Sequence, residues 1–137
     1  MNMDLLIVHK DVREKLKDFK IDNFQLYPSI IIDDNGKFHE DYWYFSIHEE
    51  FDCIDYENSQ IVEYEEDADD HAMEKYAFME EAMDSTHEEA RLIFRPMNTD
   101  IGYTFVHKKI VDIFKQFDVS ALNLVNVSKW VDGQQFK

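Results

Sequence analysis

Cys53 is the first residue in this sequence whose chemistry could support catalysis, because His48 lies five residues before it and could activate the thiol. A cysteine acts as a nucleophile only when its thiolate is stabilised. Cys53 instead follows Phe51 and precedes Ile54, with acidic residues close by that disfavour the thiolate. The local sequence therefore favours a buried structural cysteine.

The densest acidic run, residues 65–71, is the second place where side chains could do chemistry. A calcium loop needs acids at alternate positions, a glycine at the sharp turn and a closing glutamate. The run has neither this glycine nor this glutamate, and the six histidines of the chain are scattered. Phosphate-binding glycine loops, paired cysteines and hydrolase motifs are also missing. We therefore predict no catalytic residue, no metal site and no cofactor.

The net charge of −16 is concentrated in one central segment. Residues 49–90 contain 17 of the 30 acidic residues and one basic residue, Lys75, whereas the rest of the chain carries 13 of each. Such a segment repels nucleic acid and anionic membranes, and it attracts a basic protein and accelerates its association. The charge pattern favours a basic protein partner, for example a nuclease.

Aromatic residues accompany the acids and suggest where a partner binds. Tyr44 and His48 share one face of a predicted strand, and Tyr56 lies shortly after it. Aromatic anchors surrounded by charged residues are typical of tight interfaces, although the same rings could cover a second core. The predicted partner-binding residues are Tyr44, His48, Asp55, Tyr56, Glu63, Glu65, Glu66, Asp67, Asp69 and Asp70.

Length and composition set the class of protein. The 137 residues fit one domain, and 45% apolar residues are enough for a core. The lone cysteine cannot form an internal disulfide, the start of the chain does not match a signal peptide, and no apolar run is long enough to span a membrane. We expect one cytoplasmic domain over residues 1–137, of open oligomeric state with a dimer possible.

A faint internal repeat organises this domain. Residues 8–30 align with residues 106–128 at an offset of 98, with six of 23 positions identical. In each copy apolar residues recur at i, i+4 and i+7, which predicts a helix with one apolar stripe. Strands are predicted after the helices, at residues 24–32 and 121–127, so two helix–turn–strand units bracket the chain.

The region between these units is mostly β. Asn35-Gly36 predicts a tight turn, and residues 42–48 alternate as a strand with Trp43, Phe45 and Ile47 on one face. Residues 60–64 and 91–94 predict further strands, and Pro28 indicates an edge strand or a bulge. Residues 68–84 are open between an amphipathic helix, favoured by the spacing of Ala72, Tyr76, Met79 and Met83, and a short strand.

Three stretches of the chain resemble immunity protein family 11 of bacterial polymorphic-toxin systems, earlier catalogued as a domain of unknown function. They are the segment 24–28, the aromatic strand 42–47 with the following segment 52–59, and the segment 92–95 with the closing unit 106–127. The chain departs from the family in having His9 and His107 where the helices begin, and in its heavier acidic stretch. The resemblance implies a strand near residues 75–78, followed by a helical turn.

The resemblance also implies a function, which is to neutralise a cognate toxin by direct binding. It carries over no site residues. We therefore predict an α+β protein with two helices on one mixed sheet, which binds a toxin through its acidic central segment. The alternatives are a small hydrolase-like enzyme using Cys53 or carboxylates, and a non-catalytic structural or regulatory acidic protein.

Overall fold

The computed structural model of the protein describes residues 7–62, 67, 69–100, 103–118, 120 and 122–133. The helices and strands in these ranges are β1 (Ile7–His9), α1 (Lys10–Leu16), β2 (Phe24–Ile32), β3 (Phe38–Ile47), β4 (Gln60–Ile61), β5 (Met73–Lys75), α2 (Glu80–Ser85), β6 (Ile93–Phe94), β7 (Phe105–Val106) and α3 (Lys108–Phe114). Short 3-10 helices span Glu88–Ala90 and Val127–Lys129. The predicted α+β class is confirmed.

The strands form three small antiparallel sheets in the described ranges, rather than the one mixed sheet that we expected. One sheet has the order β1-β3-β2, and the others pair β4 with β5 and β6 with β7. Parallel pairing occurs only at isolated bridges, Phe51 to Pro96 and His71 to Thr99, among these residues. The tight turn after β2 dictates antiparallel pairing with β3, and β4 to β7 pair with each other, in two-stranded sheets.

The hairpin of β2 and β3 is the longest regular unit and was predicted in outline. Gly36 has φ +77° in its turn, a conformation that glycine adopts without strain. β2 lies at the edge of its sheet, and the pairing register shifts between Ser29 and Ile31. Pro28 therefore sits in an edge strand beside an irregularity, as its missing N–H requires.

The two repeat helices have the same bounds at an offset of 98 and pack against each other. His9 and His107 are their N-caps, and each Nδ1 accepts a hydrogen bond from the backbone N–H two residues later, at 3.3 Å and 3.1 Å. Histidine thus replaces the usual hydroxyl or amide cap in both copies. The apolar stripes face the core, where Leu16, Ile110 and Phe114 are buried.

The second predicted helix–turn–strand unit lacks its strand, so that expectation was wrong. Ala121 lies outside the described residues, and residues 122–126 form no strand. The Asn126 side chain accepts hydrogen bonds from the Ser128 backbone N–H at 3.0 Å and from its hydroxyl at 2.7 Å. This cap favours the helical turn Val127–Lys129, whereas in the first copy β2 is held by β3.

The segment that was open between helix and strand contains both. β5 precedes α2, so a short strand followed by a helical turn is confirmed, although the strand lies at Met73–Lys75 rather than at 75–78. A continuous helix through Ala72 and Met83 is not formed. Tyr76 is buried against Ile54 and Met73, so tertiary packing outweighs the helical spacing.

Two apolar clusters hold these elements together. The first joins α1, α3 and the inner face of β3 to residues 92–93. The second surrounds Ile54, Met73 and Tyr76, with Phe105 and Trp130 packed against it. The acidic central segment follows β3, whose Phe45 lies in the first cluster, and it contributes Ile54, Met73 and Tyr76 to the second cluster. Leu92, just after the segment, lies in the first cluster again.

Candidate partner-binding surface

A tight turn at residues 55–59 positions two of the predicted contact residues, Asp55 and Tyr56. Asp55 Oδ1 accepts hydrogen bonds from the backbone N–H groups of Glu57 and Asn58, each at 3.1 Å, and Oδ2 accepts one from Asn58 Nδ2 at 2.7 Å. The Asn58 side chain, followed by these backbone donors, lowers the pKa of Asp55. Asp55 is therefore ionised at neutral pH, and its oxygens shape the turn.

The turn is fixed to the chain before α2 through Ser59 and Ala77. Ser59 Oγ accepts a hydrogen bond from the Ala77 backbone N–H at 2.9 Å and donates one to the Ala77 carbonyl at 3.2 Å. The backbone N–H of Asp55 also donates to that carbonyl, at 2.9 Å. These bonds hold the turn in one geometry, so that Tyr56 is presented from a rigid support.

Tyr56 connects the turn to the end of the acidic run. Its ring meets the His71 ring edge-on, with centroids 5.5 Å apart, and the tyrosine is 38% exposed. Asp69 and Asp70 directly precede His71, and both are exposed, as is Asp67. The structure thus places Asp55, Tyr56 and the acids before His71 on one acidic, aromatic surface.

Asp100 joins this surface although it lies outside the acidic central segment. Its backbone N–H donates to the His71 carbonyl at 3.1 Å, and the His71 N–H donates to the Asn98 carbonyl at 3.0 Å. Burial raises the pKa of Tyr76, and the nearby charges of Asp100 and Asp132 raise it further. Asp100 was missed in the sequence, because a residue so distant in the chain shares no local pattern with residues 65–71.

Tyr44 and His48 belong to a different part of the fold. Tyr44 lies in β3 and stacks on Tyr27 of β2, with centroids 5.2 Å apart. His48 follows β3, is exposed, and donates its backbone N–H to the Asn23 carbonyl at 2.8 Å. The predicted contact residues therefore fall into two groups, one on the three-stranded sheet and one beside β4 and β5. Glu63, Glu65 and Glu66 lie outside the described residues.

The family model of an immunity protein family, Imm11, matches residues 1–129 of the chain. The chain belongs to the Imm11 immunity protein family. The resemblance seen in the sequence is thereby confirmed. Imm11 membership assigns the chain to toxin immunity and implies a cognate toxin as its partner. No curated protein matches the chain at a significant level.

The cysteine of this Imm11 protein is buried, as its sequence neighbours indicate. Cys53 has 0% exposure, and burial, followed by the charge of Asp52, raises the pKa of its thiol to about 12. Its thiol is therefore protonated at neutral pH and shielded from solvent.

The described part of this Imm11 protein contains neither a metal-binding cluster nor a membrane-spanning helix. Groups of three His, Cys, Asp or Glu side chains arranged to hold a metal ion do not occur in that part. The helices described there are all too short to cross a bilayer.

Proposed function

We propose that this Imm11 protein neutralises its cognate toxin by direct contact through the acidic, aromatic surface around Tyr56 and His71. The observation that carries the proposal is the meeting of the 55–59 turn with the acids before His71 and with Asp100. A half-exposed ring on a rigid turn, surrounded by exposed carboxylates, combines an aromatic anchor with a charged rim.

The proposed contact set keeps the sequence-predicted residues and adds Asp100. Asp55 contributes mainly by shaping the turn that presents Tyr56, because its oxygens already accept three hydrogen bonds. Tyr44 and His48 form a second group of proposed contacts, and Glu63, Glu65 and Glu66 are kept as proposed contacts on the sequence alone.

The partner that fits this surface is a basic toxin, for example a nuclease, which otherwise binds a polyanion. Attraction between the net charge of −16 and such a toxin raises the association rate. Salt screens exposed charges with a Debye length of about 8 Å at physiological ionic strength, so the association rate falls as salt rises.

We propose further that residues 1–137 act as one immunity-type domain in the cytoplasm, without catalysis. Helices from both ends of the sequence pack together, which supports a single unit. The buried, protonated Cys53 thiol supports inhibition by binding rather than by nucleophilic attack. A dimer remains an open part of the proposal, to be tested by sedimentation.

The experiment is co-expression and purified binding with the polypeptide encoded immediately upstream. The test variant changes Asp69 and Asp70 to Lys, alone and together with Glu65 and Glu66. A charge-matched control changes Asp18 and Asp112 to Lys, because both are exposed and lie outside the acidic central segment.

We expect wild type to rescue growth and to form a complex whose association rate falls between low salt and 0.5 M salt. Reversal at Asp69 and Asp70 should slow association on the order of 10-fold at low salt and flatten the salt dependence, more than the control does. Equal effects of the two reversals would assign the acids a general solubilising role. Absence of both rescue and complex would overturn the proposal for this partner.

A further inference from the structure

The far end of the β2–β3 hairpin exposes three large apolar side chains. Ile30, Ile32 and Phe38 are 60%, 59% and 61% exposed, the highest values among the large hydrophobic residues described. We call them the hairpin-tip patch. Six-tenths of three such side chains amounts to roughly 300 Å², the size of a functional patch on a monomer.

The patch continues the face of the hairpin that builds the core. Alternation along β2 places Ile30 and Ile32 on the same face as Phe24 and Leu26, which pack against the first apolar cluster. Phe38 is the pairing partner of Ile32. The apolar face thus runs on beyond the point where the helices cover it.

The hairpin turn holds the patch in a fixed geometry. The Asp33 backbone N–H donates to the Lys37 carbonyl at 3.0 Å, and the Asp33 carbonyl accepts from the Gly36 N–H at 2.8 Å. The Asp33 Oδ1 atom accepts from the N–H groups of Asn35 and Lys37 at 2.9 Å and 3.0 Å. His39 Nε2 lies 3.0 Å from Asp33 Oδ2. An apolar patch on such a braced turn is preorganised, which reduces the entropy lost on binding.

Charge distinguishes between two possible occupants of the patch, a second copy of this chain and a basic partner protein. Asp34 and Glu40 are exposed beside it with one exposed base, Lys37, so its rim is net acidic, and a second copy would bring the same acidic rim against it. Like charges oppose that pairing, and Pro28 with the register shift beside it interrupts the edge of β2 through which two copies could align. A basic partner with an apolar centre gains from both the patch and its acidic rim.

We propose that the hairpin-tip patch is an apolar anchor for the toxin, docking against an apolar area that basic residues surround. The inference rests on the proposed function, and it adds an element that the acidic central segment does not contain. The patch supplies apolar burial, which slows dissociation, whereas the acids speed association.

The test replaces Ile30, Ile32 and Phe38 with Thr, a polar, β-branched residue that favours strands. The control is Leu124→Thr, because Leu124 is 38% exposed and lies outside both the hairpin and the acidic central segment. Binding of the upstream-encoded polypeptide is measured by surface plasmon resonance at low and high salt, with melting curves to show that each variant folds.

We expect the triple variant to bind at least 100-fold more weakly through faster dissociation, with its salt dependence unchanged, and the control to bind like wild type. Wild-type affinity of the triple variant would overturn this inference alone. A wild-type dimer that the triple variant converts to a monomer would also overturn it, by assigning the patch to a second copy. Failure of wild type itself to bind would instead overturn the proposed function.

Discussion

Removing the hydroxyl of Ser59 tests whether the 55–59 turn supports the candidate surface as described. In Ser59→Ala the Ala77 carbonyl keeps its hydrogen bond from the Asp55 backbone N–H at 2.9 Å. The Ala77 N–H loses its acceptor at 2.9 Å and is left without one in a partly buried position. The unsatisfied donor, rather than the number of lost bonds, therefore sets the cost.

An unsatisfied buried amide costs about 1–3 kcal/mol, and we take the lower half of this range because the site is only partly buried. For a chain of this length, about 1–2 kcal/mol corresponds to a fall of roughly 3–8 °C in melting temperature. Urea denaturation followed by circular dichroism gives the free energy of unfolding. Hydrogen exchange at the Ala77 amide reports the local opening.

Two matched variants make the result specific. Ser85→Ala removes an exposed hydroxyl that donates a long hydrogen bond, 3.4 Å, to the Ala82 carbonyl, and should change stability by less than about 0.5 kcal/mol. Ser59→Thr keeps the hydroxyl and should restore most of the loss. If Ser59→Ala matched Ser85→Ala in stability and in Ala77 exchange, the reasoning about the turn would be refuted.

Three further predictions concern the core, the thiol and the turn of the hairpin. Ile110→Ala, at a side chain with 0% exposure, should lower the free energy of unfolding by about 2–5 kcal/mol in urea titrations, whereas Ile30→Ala should change it little; equal losses would contradict the packing. The Cys53 thiol, with its pKa raised to about 12, should resist iodoacetamide at pH 8 until urea unfolds the protein, and Cys53→Ala should still neutralise the toxin; loss of neutralisation in a folded variant would favour the enzyme alternative. The hydrogen bond with His39, followed by backbone donors, lowers the pKa of Asp33, so its contribution to stability is present above the unfolded pKa near 4 and is lost as pH falls through the folded value. Asp33→Asn should therefore be less stable than wild type at pH 7 by a margin that closes below about pH 4, and a margin independent of pH would argue against this ionised contact.

The parts of the fold that the sequence predicts well are those whose signals are local and repeated. The alternation through Trp43, Phe45 and Ile47 and the Asn35-Gly36 turn predict the hairpin, because side-chain period and turn chemistry agree. The apolar stripes of α1 and α3 predict both helices, whose bounds match at an offset of 98. In these segments local preference and tertiary packing favour the same structure.

The parts that could not be predicted depend on partners distant in the chain. The strands predicted at 60–64 and 91–94 are present as β4 and β6, but β4, β6 and β7 have two residues each, too few to indicate which strands pair, so their separate sheets could not be predicted. Tyr76 lies at helical spacing from Ala72 and Met79 in the sequence, but in the structure it packs against Ile54 and Met73 in the second cluster. The neighbours of the acidic run, His71 against Tyr56 and Asp100 beside His71, are contacts across loops that no local pattern encodes.

The first apolar cluster draws its residues from both ends of the sequence, and this has a consequence for synthesis on the ribosome. Val8, Val12 and Phe45 are made first, whereas Ile110 and Phe114, which complete their burial, follow Phe45 by 65 and 69 residues (110 − 45 and 114 − 45). At roughly 5–20 residues per second, the growing chain holds an unfinished core for several seconds after Phe45 is made. The first apolar cluster is therefore complete only after α3 has been made, and until then the nascent chain depends on its dense negative charge to avoid aggregation.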